Sequence, residues 1–483
     1  MSDMRVEVST EKGPFEPSWE SLRTFECPQW FRDAKFGIWS HWGPQSLPMF
    51  GDWYARNIYM EGSDQYRYHL RKFGHPSQVG WKDMVQMWKA EKFDPDALMK
   101  QYVNAGAKYF VAQAAHHDNF HNWNSKHHRW NSVKMGPGKN IVSLWQQAAQ
   151  KQGLPFGLSE HIGATFNWYK VTKGADKAGP FAGVPYDGSD PAYEDFYLPN
   201  HHTADLAQEW YTRNPWWHAR WFEFVKDLID QFHPDLLYSD GGVPFEEYGL
   251  NIISHLYNSS ARQHGGENRA VYTQKDQQES VYTVGVLDIE RSQLPGILPH
   301  VWQTDTSVGD WFYNLKDIYK TPEHVVDMLV DIVSKNGNLL LNIPQRPDGT
   351  LDDECSYLLQ KVGAWIRVNG EGIYSTRPWK VYAEGPSEVV IQHFKEDVVP
   401  WTIEDFRFTQ KDGNVYAFQM KWPEGGKTVI RSLALGNFPS VGSVAVLGYN
   451  SPVRFEQTRR GLAIDLPEEK PVDFVACYKV TFA

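Results

Sequence analysis

Cysteine is scarce in this 483-residue sequence, and its three copies lie far apart. Cys27, Cys355 and Cys477 form neither a CxxC pair nor any other spacing typical of metal ligands, and an odd number cannot form a complete set of disulfides. Long apolar runs are also missing, since no stretch approaches the roughly 18 apolar residues that a membrane-spanning helix needs. These absences argue against a cysteine-based metal centre, a disulfide scaffold and a membrane protein.

Clusters of basic residues are absent as well. The chain has 48 Lys and Arg against 59 Asp and Glu, which gives a formal net charge of −11. Proteins that bind nucleic acids neutralise the phosphate backbone with Lys and Arg, and no block of basic residues serves that purpose here. We therefore expect no nucleic acid among the partners.

The N-terminal sequence lacks the features of a secretory signal. Its first 20 residues have no basic start, no apolar stretch and no small-residue cleavage site. The chain as it stands is thus expected to be cytoplasmic, or periplasmic or secreted if a leader has been removed.

Aromatic residues, by contrast, are abundant. They make up 15% of the chain, and 21 of them are Trp. Broad rings with a polar edge are good platforms for ligands that are partly apolar and partly hydroxylated, a description that fits sugars. An aromatic hydrophobic core is the alternative explanation of the same composition.

Apolar, β-rich runs alternate with helical patterns over about the first 375 residues. Such alternation predicts a parallel sheet, and seven runs with a weaker one at 300–304 predict a (β/α)₈ barrel. The predicted strands cover residues 35–42, 108–115, 155–161, 235–240, 270–274, 284–289, 300–304 and 338–343. A long polar loop at 173–195 follows the third strand, where barrel enzymes often build the rim of the active site.

Helical periodicity ends near residue 375, and short alternating runs take its place. This pattern predicts an antiparallel β-sandwich. Its predicted strands lie at 387–394, 405–410, 415–422, 428–435, 444–449, 461–466 and 474–482. We therefore predict a catalytic barrel domain with an N-terminal extension at residues 1–380, and a C-terminal β-sandwich domain at 381–483.

Polar residues stand at nearly every predicted strand end of the barrel. In this fold the C-terminal ends of the strands carry the catalytic residues. The recurrence of polar residues at these ends therefore predicts that they converge on one polar pocket. The residues are His41, Trp42, His116, His117, Asp118, Glu160, His161, Asp240, Lys275, Glu290 and Asn342.

Several longer sequence motifs contain some of these strand-end residues. They include WFRDAKFGIWSHWGPQSLP (30–48), HHDNFHNWNS (116–125), LLYSDGG (236–242) and NGNLLLNIPQRPDGTL (336–351). In sequence and order they resemble the α-L-fucosidases of glycoside hydrolase family 29. The resemblance implies an exo-acting, retaining hydrolase that releases α-L-fucose from fucosylated oligosaccharides or glycoconjugates, with an Asp nucleophile at the end of the fourth strand.

Asp240 fits the nucleophile on chemical grounds also. A retaining glycosidase needs two carboxyl groups roughly 5–5.5 Å apart, one ionised to attack the anomeric carbon and one protonated to assist the leaving oxygen. Asp240 follows an apolar strand and precedes two glycines that let the backbone turn away. We predict that Asp240 is the nucleophile, with an Asx turn as the alternative.

The acid/base residue is harder to assign. Many relatives place it in a Trp-Glu pair, but here the corresponding segment reads Trp302-Gln303, and Gln cannot donate and recover a proton. Glu290 lies 50 residues after the nucleophile and just after a predicted strand, so we predict that it is the acid/base. Glu160 is the second candidate, and a surface ion pair with Arg291 is the other explanation of Glu290.

The remaining candidate residues would contact the sugar. The resemblance implies substrate binding by His41, His116 and His117, since a neutral imidazole both donates and accepts hydrogen bonds, as hydroxyl groups require. The full predicted set is His41, Trp42, Asp52, Trp53, His116, His117, Trp123, His161, Lys275 and Trp311. For each Trp, packing in the core is an equal alternative.

Three other functions remain open from the sequence. The histidine cluster with Asp118 could in principle bind Zn²⁺, although successive side chains of a strand point to opposite faces, so we predict no metal and no other cofactor. An α-L-galactosidase would differ in its substrate only by one hydroxyl group at C6. A non-catalytic carbohydrate-binding protein would follow if Glu290 were not an acid.

Overall fold

Eight parallel strands close into a barrel in the computed structural model, which describes residues 8–199, 210–392, 394–436 and 438–483. Neighbouring strands pair in chain order, and β8 closes the barrel on β1. The strands are β1 (Phe36–Ser40), β2 (Tyr109–Ala115), β3 (Phe156–Glu160), β4 (Leu236–Ser239), β5 (Val271–Gln274), β6 (Val286–Glu290), β7 (Trp302–Ser307) and β8 (Gly337–Asn342). The predicted barrel is confirmed, including its weak strand.

Helices surround the barrel, and the longer ones alternate with its strands. They are α1 (Trp19–Leu22), α2 (Gln29–Ala34), α3 (Tyr54–Asn57), α4 (Asp64–Lys72), α5 (Trp81–Met87), α6 (Pro95–Asn104), α7 (Ile141–Lys151), α8 (Thr165–Trp168), α9 (Glu194–Tyr197), α10 (Pro215–Phe232), α11 (Glu247–Gln263), α12 (Glu279–Tyr282), α13 (Pro322–Ser334) and α14 (Asp353–Asn369). None of the helices in the described ranges combines the length and apolarity needed to cross a bilayer.

Three of these helices begin with the same local signal. In α6, α10 and α13 a capping side chain from Asp94, Asn214 or Thr321 accepts a hydrogen bond from a backbone N–H of the first turn, and proline follows directly. Proline suits the first helical position because its missing N–H would have no partner there. The signal explains why α10 begins at Pro215.

Two apolar layers lie on opposite faces of the barrel strands. Leu236 and Tyr238 of β4 pack inside the barrel, whereas Leu237 packs outside against the helices. In β6, Val286 packs inside and Leu287 outside. Side chains alternate between the two faces of a strand. Whether the last residue of a strand points into the barrel or towards the helices therefore depends on how many positions separate it from an inward-facing residue.

Polar residues fill part of the barrel interior and explain the weak signal of β7. The Tyr109 hydroxyl donates to Gln303 Oε1 at 2.7 Å, and Gln303 Nε2 donates to Asp288 Oδ2 at 2.5 Å. Asp305, two residues after Gln303, is also fully buried. The inward face of β7 is therefore polar, and the run lacks the apolar character of its neighbours.

The C-terminal part forms two antiparallel sheets, as predicted. Five strands pair in the order β13-β16-β11-β10-β9, and three pair in the order β12-β15-β14. Their bounds are β9 (Arg377–Glu384), β10 (Phe406–Lys411), β11 (Asn414–Gln419), β12 (Lys427–Ile430), β13 (Val441–Val446), β14 (Phe455–Thr458), β15 (Gly461–Asp465) and β16 (Ala476–Phe482). Apolar residues of both sheets, including Phe408 and Leu462, form a shared core.

One predicted strand of this part is wrong, and two strands were not predicted. The described residues of 387–394 form no strand, because Val390 and Ile391 are exposed and only an isolated bridge joins Gln392 to Lys395; His393 lies outside the described residues. β9 and β14 carry weak patterns, since β9 contains a proline and β14 is only four residues long. The boundary at residues 380 and 381 stays a prediction, and β9 spans it.

Buried polar contacts join the two parts. Asp331 of α13 forms ion pairs with Arg407 of β10 and, at 2.7 Å, with Lys335. A connecting segment links β9 to β10, and its described residues, 385–392 and 394–405, run back over the barrel. Trp401 of this segment donates through Nε1 to Asp327 of α13 at 3.0 Å. The connecting segment is therefore attached to the catalytic barrel as well as to the sheets.

Candidate active site

A cavity of about 900 Å³ opens at the C-terminal ends of the barrel strands. Strands β1 to β7 each contribute lining residues from their last positions or from the residues that follow. The lining consists of Trp39, His41, Asp52, Trp53, Asn57, His116, His117, His161, Trp210, Tyr238, Asp240, Gly241, Lys275, Gln277, Glu290, Asp305, Trp311 and Phe394. The strand ends therefore converge on one polar and aromatic cavity.

Most of the residues singled out from the sequence lie together in this cavity. The structure brings together His41, Asp52, Trp53, His116, His117, His161, Asp240, Lys275, Glu290 and Trp311. It does not bring Trp42 or Trp123 to the cavity. Both are buried elsewhere: Trp42 Nε1 donates to the carbonyl of Arg346 at 3.0 Å, and Trp123 Nε1 donates to Asp227 at 3.1 Å. These two rings belong to the aromatic core, the alternative that applied to every Trp.

A lysine joins the two predicted catalytic carboxyl groups. Lys275 Nζ donates to Asp240 Oδ1 at 2.8 Å and forms a second hydrogen bond with Glu290 Oε2. Because the two carboxylate oxygens contact the same nitrogen, they are at most two hydrogen-bond lengths apart, which is roughly 6 Å. That separation fits the roughly 5–5.5 Å of retaining glycosidases better than the wider spacing that inverting enzymes need to admit a water molecule.

The surroundings give these carboxyl groups opposite protonation. Burial opposes the charge of Asp240, but Lys275, His161 and His117 together hold the pKa of Asp240 well below its usual value. Burial, together with the negative charges of Asp305 and Asp240, raises the pKa of Glu290 to about 7 against the opposing effect of Lys275. At neutral pH Asp240 is ionised, whereas a large fraction of Glu290 carries its proton.

Lys275 is the fixed positive charge of the site. Burial alone would lower the pKa of Lys275, but Asp240, Asp305 and Glu290 raise it well above its usual value. Asp305 lies 3.8 Å from the ammonium nitrogen. Tyr238 links the same groups, since its hydroxyl lies 3.3 Å from Asp240 Oδ1 and 3.2 Å from Asp305 Oδ2.

The turn after Asp240 holds the nucleophile candidate in place. Gly241 adopts φ +109°, and a Cβ there would lie 2.5 Å from the Tyr211 hydroxyl. That hydroxyl donates to the carbonyls of Asp240 at 2.9 Å and Gly242 at 3.0 Å. The glycine therefore permits both the left-handed backbone and the close approach of the tyrosine.

Arg291 does not pair with Glu290. Its guanidinium lies 4.8 Å from the centre of the Trp311 ring and contacts the carbonyl of Gly309 at 2.5 Å and the carboxylate of Glu396 at 3.9 Å. The surface ion pair that would have explained Glu290 structurally is absent from the described residues.

Glu160, the other acid/base candidate, lies outside the cavity. It ends β3 on the face of Leu158, and its Oε2 accepts hydrogen bonds from Trp221 Nε1 and the backbone N–H of Ile162, both at 3.1 Å. Burial raises the pKa of Glu160 to about 7. Its environment makes a proton available, but its carboxyl group points between the barrel and α10.

Three histidines of the cavity, His41, His116 and His117, are neutral hydrogen-bonding groups. Burial lowers the pKa values of His41 and His116 well below the usual range and that of His117 to about 3. Within the described protein, neither ring nitrogen of His41 has a hydrogen-bond partner, nor does Nε2 of His161. These nitrogens are thus placed to bind the hydroxyl groups of a sugar.

Asp52 adds a neutral carboxyl group to this wall. Burial raises its pKa well above the usual value, and Asp310 and Glu290 raise it further. It lies 3.9 Å from His116 Nε2. A protonated carboxyl group both donates and accepts hydrogen bonds, so Asp52 can bind a sugar hydroxyl group as donor or as acceptor.

Two sets of side chains in the cavity could geometrically hold a metal ion. The ligand atoms of His116, His117 and His161, and those of His41, Asp52 and His116, lie within 4.8 Å of one another. Gln45 fixes one of these ligands, because its oxygen accepts from the N–H of Ala55 and its amide nitrogen faces His116 Nδ1 at 2.8 Å. His116 Nε2 then carries the proton, which disfavours it as a metal ligand.

Several lining residues were not predicted from the sequence. Trp39, Tyr238 and Asp305 lie within strands β1, β4 and β7. Each lies either two residues before a predicted site residue or beside one, so the alternation of side chains along these strands would have indicated them. Trp210 and Phe394 come from long connections, and no sequence pattern places them at the cavity.

The chain is similar to known proteins over most of its length. The family model for alpha-L-fucosidase matches residues 3–371, and that for the alpha-L-fucosidase C-terminal domain matches residues 400–481. Tissue alpha-L-fucosidase from Rattus norvegicus is 28% identical over 472 residues, with 95% of this chain and 90% of the relative covered. The human tissue enzyme is 28% identical over 470 residues, with coverage of 95% and 89%.

Solved structures are similar over nearly the whole chain. The alpha-fucosidase of Thermotoga maritima in complex with fucose superposes with a TM-score of 0.74 at 25% identity, covering 97% of this chain and all of that one. A covalent intermediate of an alpha-L-fucosidase from Bacteroides thetaiotaomicron superposes with a TM-score of 0.64 at 16% identity, covering 99% of both chains, and supports the fold alone.

Proposed function

The chain belongs to the alpha-L-fucosidase family of glycoside hydrolases, and we propose that it removes terminal α-L-fucose from fucosylated glycans with Asp240 as nucleophile and Glu290 as acid/base. The observation that carries the residue assignment is the contact of one ammonium group, that of Lys275, with both carboxyl groups. This contact supports a short separation of the two carboxyl groups, and the pKa values of the two groups are shifted in opposite directions.

In the first step, ionised Asp240 attacks the anomeric carbon while Glu290 gives its proton to the departing glycosidic oxygen. The bond from the anomeric carbon to that oxygen breaks as the bond to Asp240 forms, which leaves an ester of the sugar with the enzyme. The neutral histidines and Asp52 hold the sugar hydroxyl groups, and Trp53 and Trp311 are placed to pack on its apolar C–H groups.

In the second step, Glu290 acts as a base. It takes a proton from a water molecule that occupies the position of the departed group, and the resulting hydroxide attacks the anomeric carbon and releases Asp240. Two inversions give net retention, so free fucose leaves with the α configuration.

Two of the three other functions considered from the sequence also have less support. A non-catalytic carbohydrate-binding protein would not need a pair of carboxyl groups with opposite pKa shifts around one lysine. An α-L-galactosidase is not favoured either, since the family models and the relatives reported above are all fucosidases.

One experiment tests substrate and stereochemistry together. Initial rates on an aryl α-L-fucoside should exceed those on the matching aryl α-L-galactoside, and proton NMR during the first turnovers should detect α-fucose before its mutarotation. A faster galactoside rate would overturn the substrate assignment. Initial β-fucose would overturn the double displacement and would require Asp240 to act on water instead.

A further inference from the structure

The connecting segment brings a side chain from outside the barrel to the active site. Phe394 lies in this segment, is 56% exposed and lines the mouth of the catalytic cavity. It also lines a second, open groove of about 460 Å³ beside the mouth. The cavity and the groove are thus adjacent, and Phe394 and Trp311 lie on their shared border.

We propose that this groove, here named the outer groove and formed by Arg291, Trp311, Asp317, Ile318, Lys320 and Phe394, binds the sugar to which fucose is attached, with Phe394 as a platform for that sugar. The proposal rests on the proposed function, because it takes Glu290 as the acid that protonates the leaving oxygen.

The direction of the leaving group follows from the position of that acid. A general acid must lie within hydrogen-bond reach of the oxygen that it protonates, so the leaving sugar extends from the Glu290 side of the cavity. The next residue along the chain, Arg291, lines the outer groove rather than the cavity. A sugar whose oxygen contacts Glu290 therefore has the outer groove directly beyond it.

The chemistry of the outer groove suits a carbohydrate. Phe394 offers an exposed aromatic surface, and Ile318, which is almost fully exposed, adds an aliphatic one, whereas Trp311 is largely buried at the border with the cavity. Carboxylate and ammonium groups from Asp317 and Lys320 border the same space. Apolar faces for C–H groups next to charged groups for hydroxyl groups are the combination that sugars require.

The connecting segment is anchored to the barrel close to Phe394. Glu396, two residues further on, accepts hydrogen bonds from the Thr306 hydroxyl at 2.8 Å and from Lys320 Nζ at 2.9 Å. Thr306 lies on barrel strand β7, and Lys320 also donates to the carbonyl of Ser307 at 2.7 Å. Glu396 is therefore a positioning residue for Phe394, and the connecting segment becomes part of substrate recognition.

The test compares substrates that do and do not fill the outer groove. α-L-Fucosyl fluoride leaves a fluoride ion and needs no groove, whereas disaccharides with fucose on galactose or on N-acetylglucosamine place a sugar there. Phe394→Ala should lower kcat/KM about 5–20-fold on the disaccharide that the wild type cleaves best, because a stacking platform is lost, and should leave fucosyl fluoride within about twofold. Phe394→Tyr should restore most of the disaccharide activity.

A matched control and a second variant accompany this comparison. Tyr357 on α14 is 54% exposed and lies outside both spaces, so Tyr357→Ala should change neither rate. Glu396→Gln should reproduce the selective loss on the disaccharide with a smaller magnitude.

A further measurement uses the glycosyl-enzyme trapped with 2-deoxy-2-fluoro-fucosyl fluoride. Free galactose or N-acetylglucosamine should accelerate its release in the wild type, and Phe394→Ala should lose that acceleration while release by water is unchanged.

Three outcomes would contradict the inference. Equal losses on both substrates would make Phe394 a structural residue, and no loss on either would place the leaving sugar elsewhere. A wild-type enzyme that cleaves neither substrate would overturn the proposed function, and the leaving-group site with it.

Discussion

Two glutamates at the ends of barrel strands have nearly the same pKa, about 7, in two different regions of the molecule. Glu290 ends β6 and faces the cavity, where it contacts Lys275 near Asp240. Glu160 ends β3 and faces the layer between the barrel and α10, where Trp221 covers it. Burial raises both pKa values, so a raised pKa alone does not identify the acid, and the proposal of Glu290 relies on the face of the strand that it occupies.

The largest effect is expected from removing Asp240, the proposed nucleophile, which faces the cavity as Glu290 does. Asp240→Ala should lower turnover roughly 10⁴–10⁶-fold, the range for loss of a nucleophile in other enzymes, because no glycosyl-enzyme can form. Added azide should restore part of the rate and give β-fucosyl azide. Wild-type-like turnover in this variant, with intact folding by circular dichroism, would refute the assignment.

Removal of Glu290 should have a smaller effect that depends on the leaving group. Glu290→Ala should cost about 10²–10⁴-fold on a fucosyl disaccharide, the usual contribution of a general acid. A dinitrophenyl fucoside needs no proton, so its first step should be nearly unchanged and a burst of dinitrophenolate should appear in stopped-flow measurements. Equal losses on both substrates would speak against Glu290.

The pH profile gives a second test of Glu290. The acid must be protonated in the first step, so kcat/KM of the wild type on the disaccharide should fall as the pH rises through about 7. The alkaline decline should be absent when Glu290→Ala hydrolyses the dinitrophenyl fucoside. If it persists, another group controls the profile, and measured rates between pH 5 and 9 decide the question.

On the outer face, Glu160→Gln should affect stability more than chemistry. Turnover on both substrates should stay within about tenfold and show no dependence on the leaving group. The folded-state pKa of Glu160 is about 7, above the usual 4.5, so the unfolded state loses its proton first and Glu160 destabilises the fold increasingly as pH rises through this interval. The Tm of the variant relative to the wild type should therefore be higher at pH 8 than at pH 5.

The smallest effect is expected from chelation. Exhaustive EDTA treatment should leave turnover on aryl fucoside unchanged, because the two carboxyl groups supply the acid, the base and the nucleophile, and His116 is held in a tautomer that disfavours metal binding. Loss of activity that Zn²⁺ restores would instead assign a catalytic role to the histidines of the inner face.

Much of this arrangement could be predicted from the sequence, because each barrel strand carries its own signal. All eight strands were predicted from local apolar runs, and β7 was weak only because Gln303 and Asp305 face a polar interior. The direction of a side chain was harder to predict. Parallel strands are buried on both faces, so their apolar runs do not show which residues point inward, and this left Glu160 beside Glu290 as a candidate.

Tryptophans illustrate the same limit. Trp42 lies next to His41 in sequence but points into the core, where it packs near Trp88 and Phe93. Contacts between distant parts of the chain were out of reach altogether. Phe394 reaches the cavity because Glu396 binds β7, and nothing in the run at 387–394 distinguishes such an anchored segment from a strand.

The shared lysine has a consequence for electroneutrality during the reaction. Before catalysis, negative Asp240, positive Lys275 and protonated Glu290 sum to zero charge. After the first step, Asp240 is a neutral ester and Glu290 has become the anion, so the sum is again zero and only the partner of the ammonium group has changed. A buried, uncompensated charge would be costly at either stage. In the proposed reaction, Lys275 thus allows the negative charge to pass between the two carboxyl groups while the net charge of these three groups stays the same.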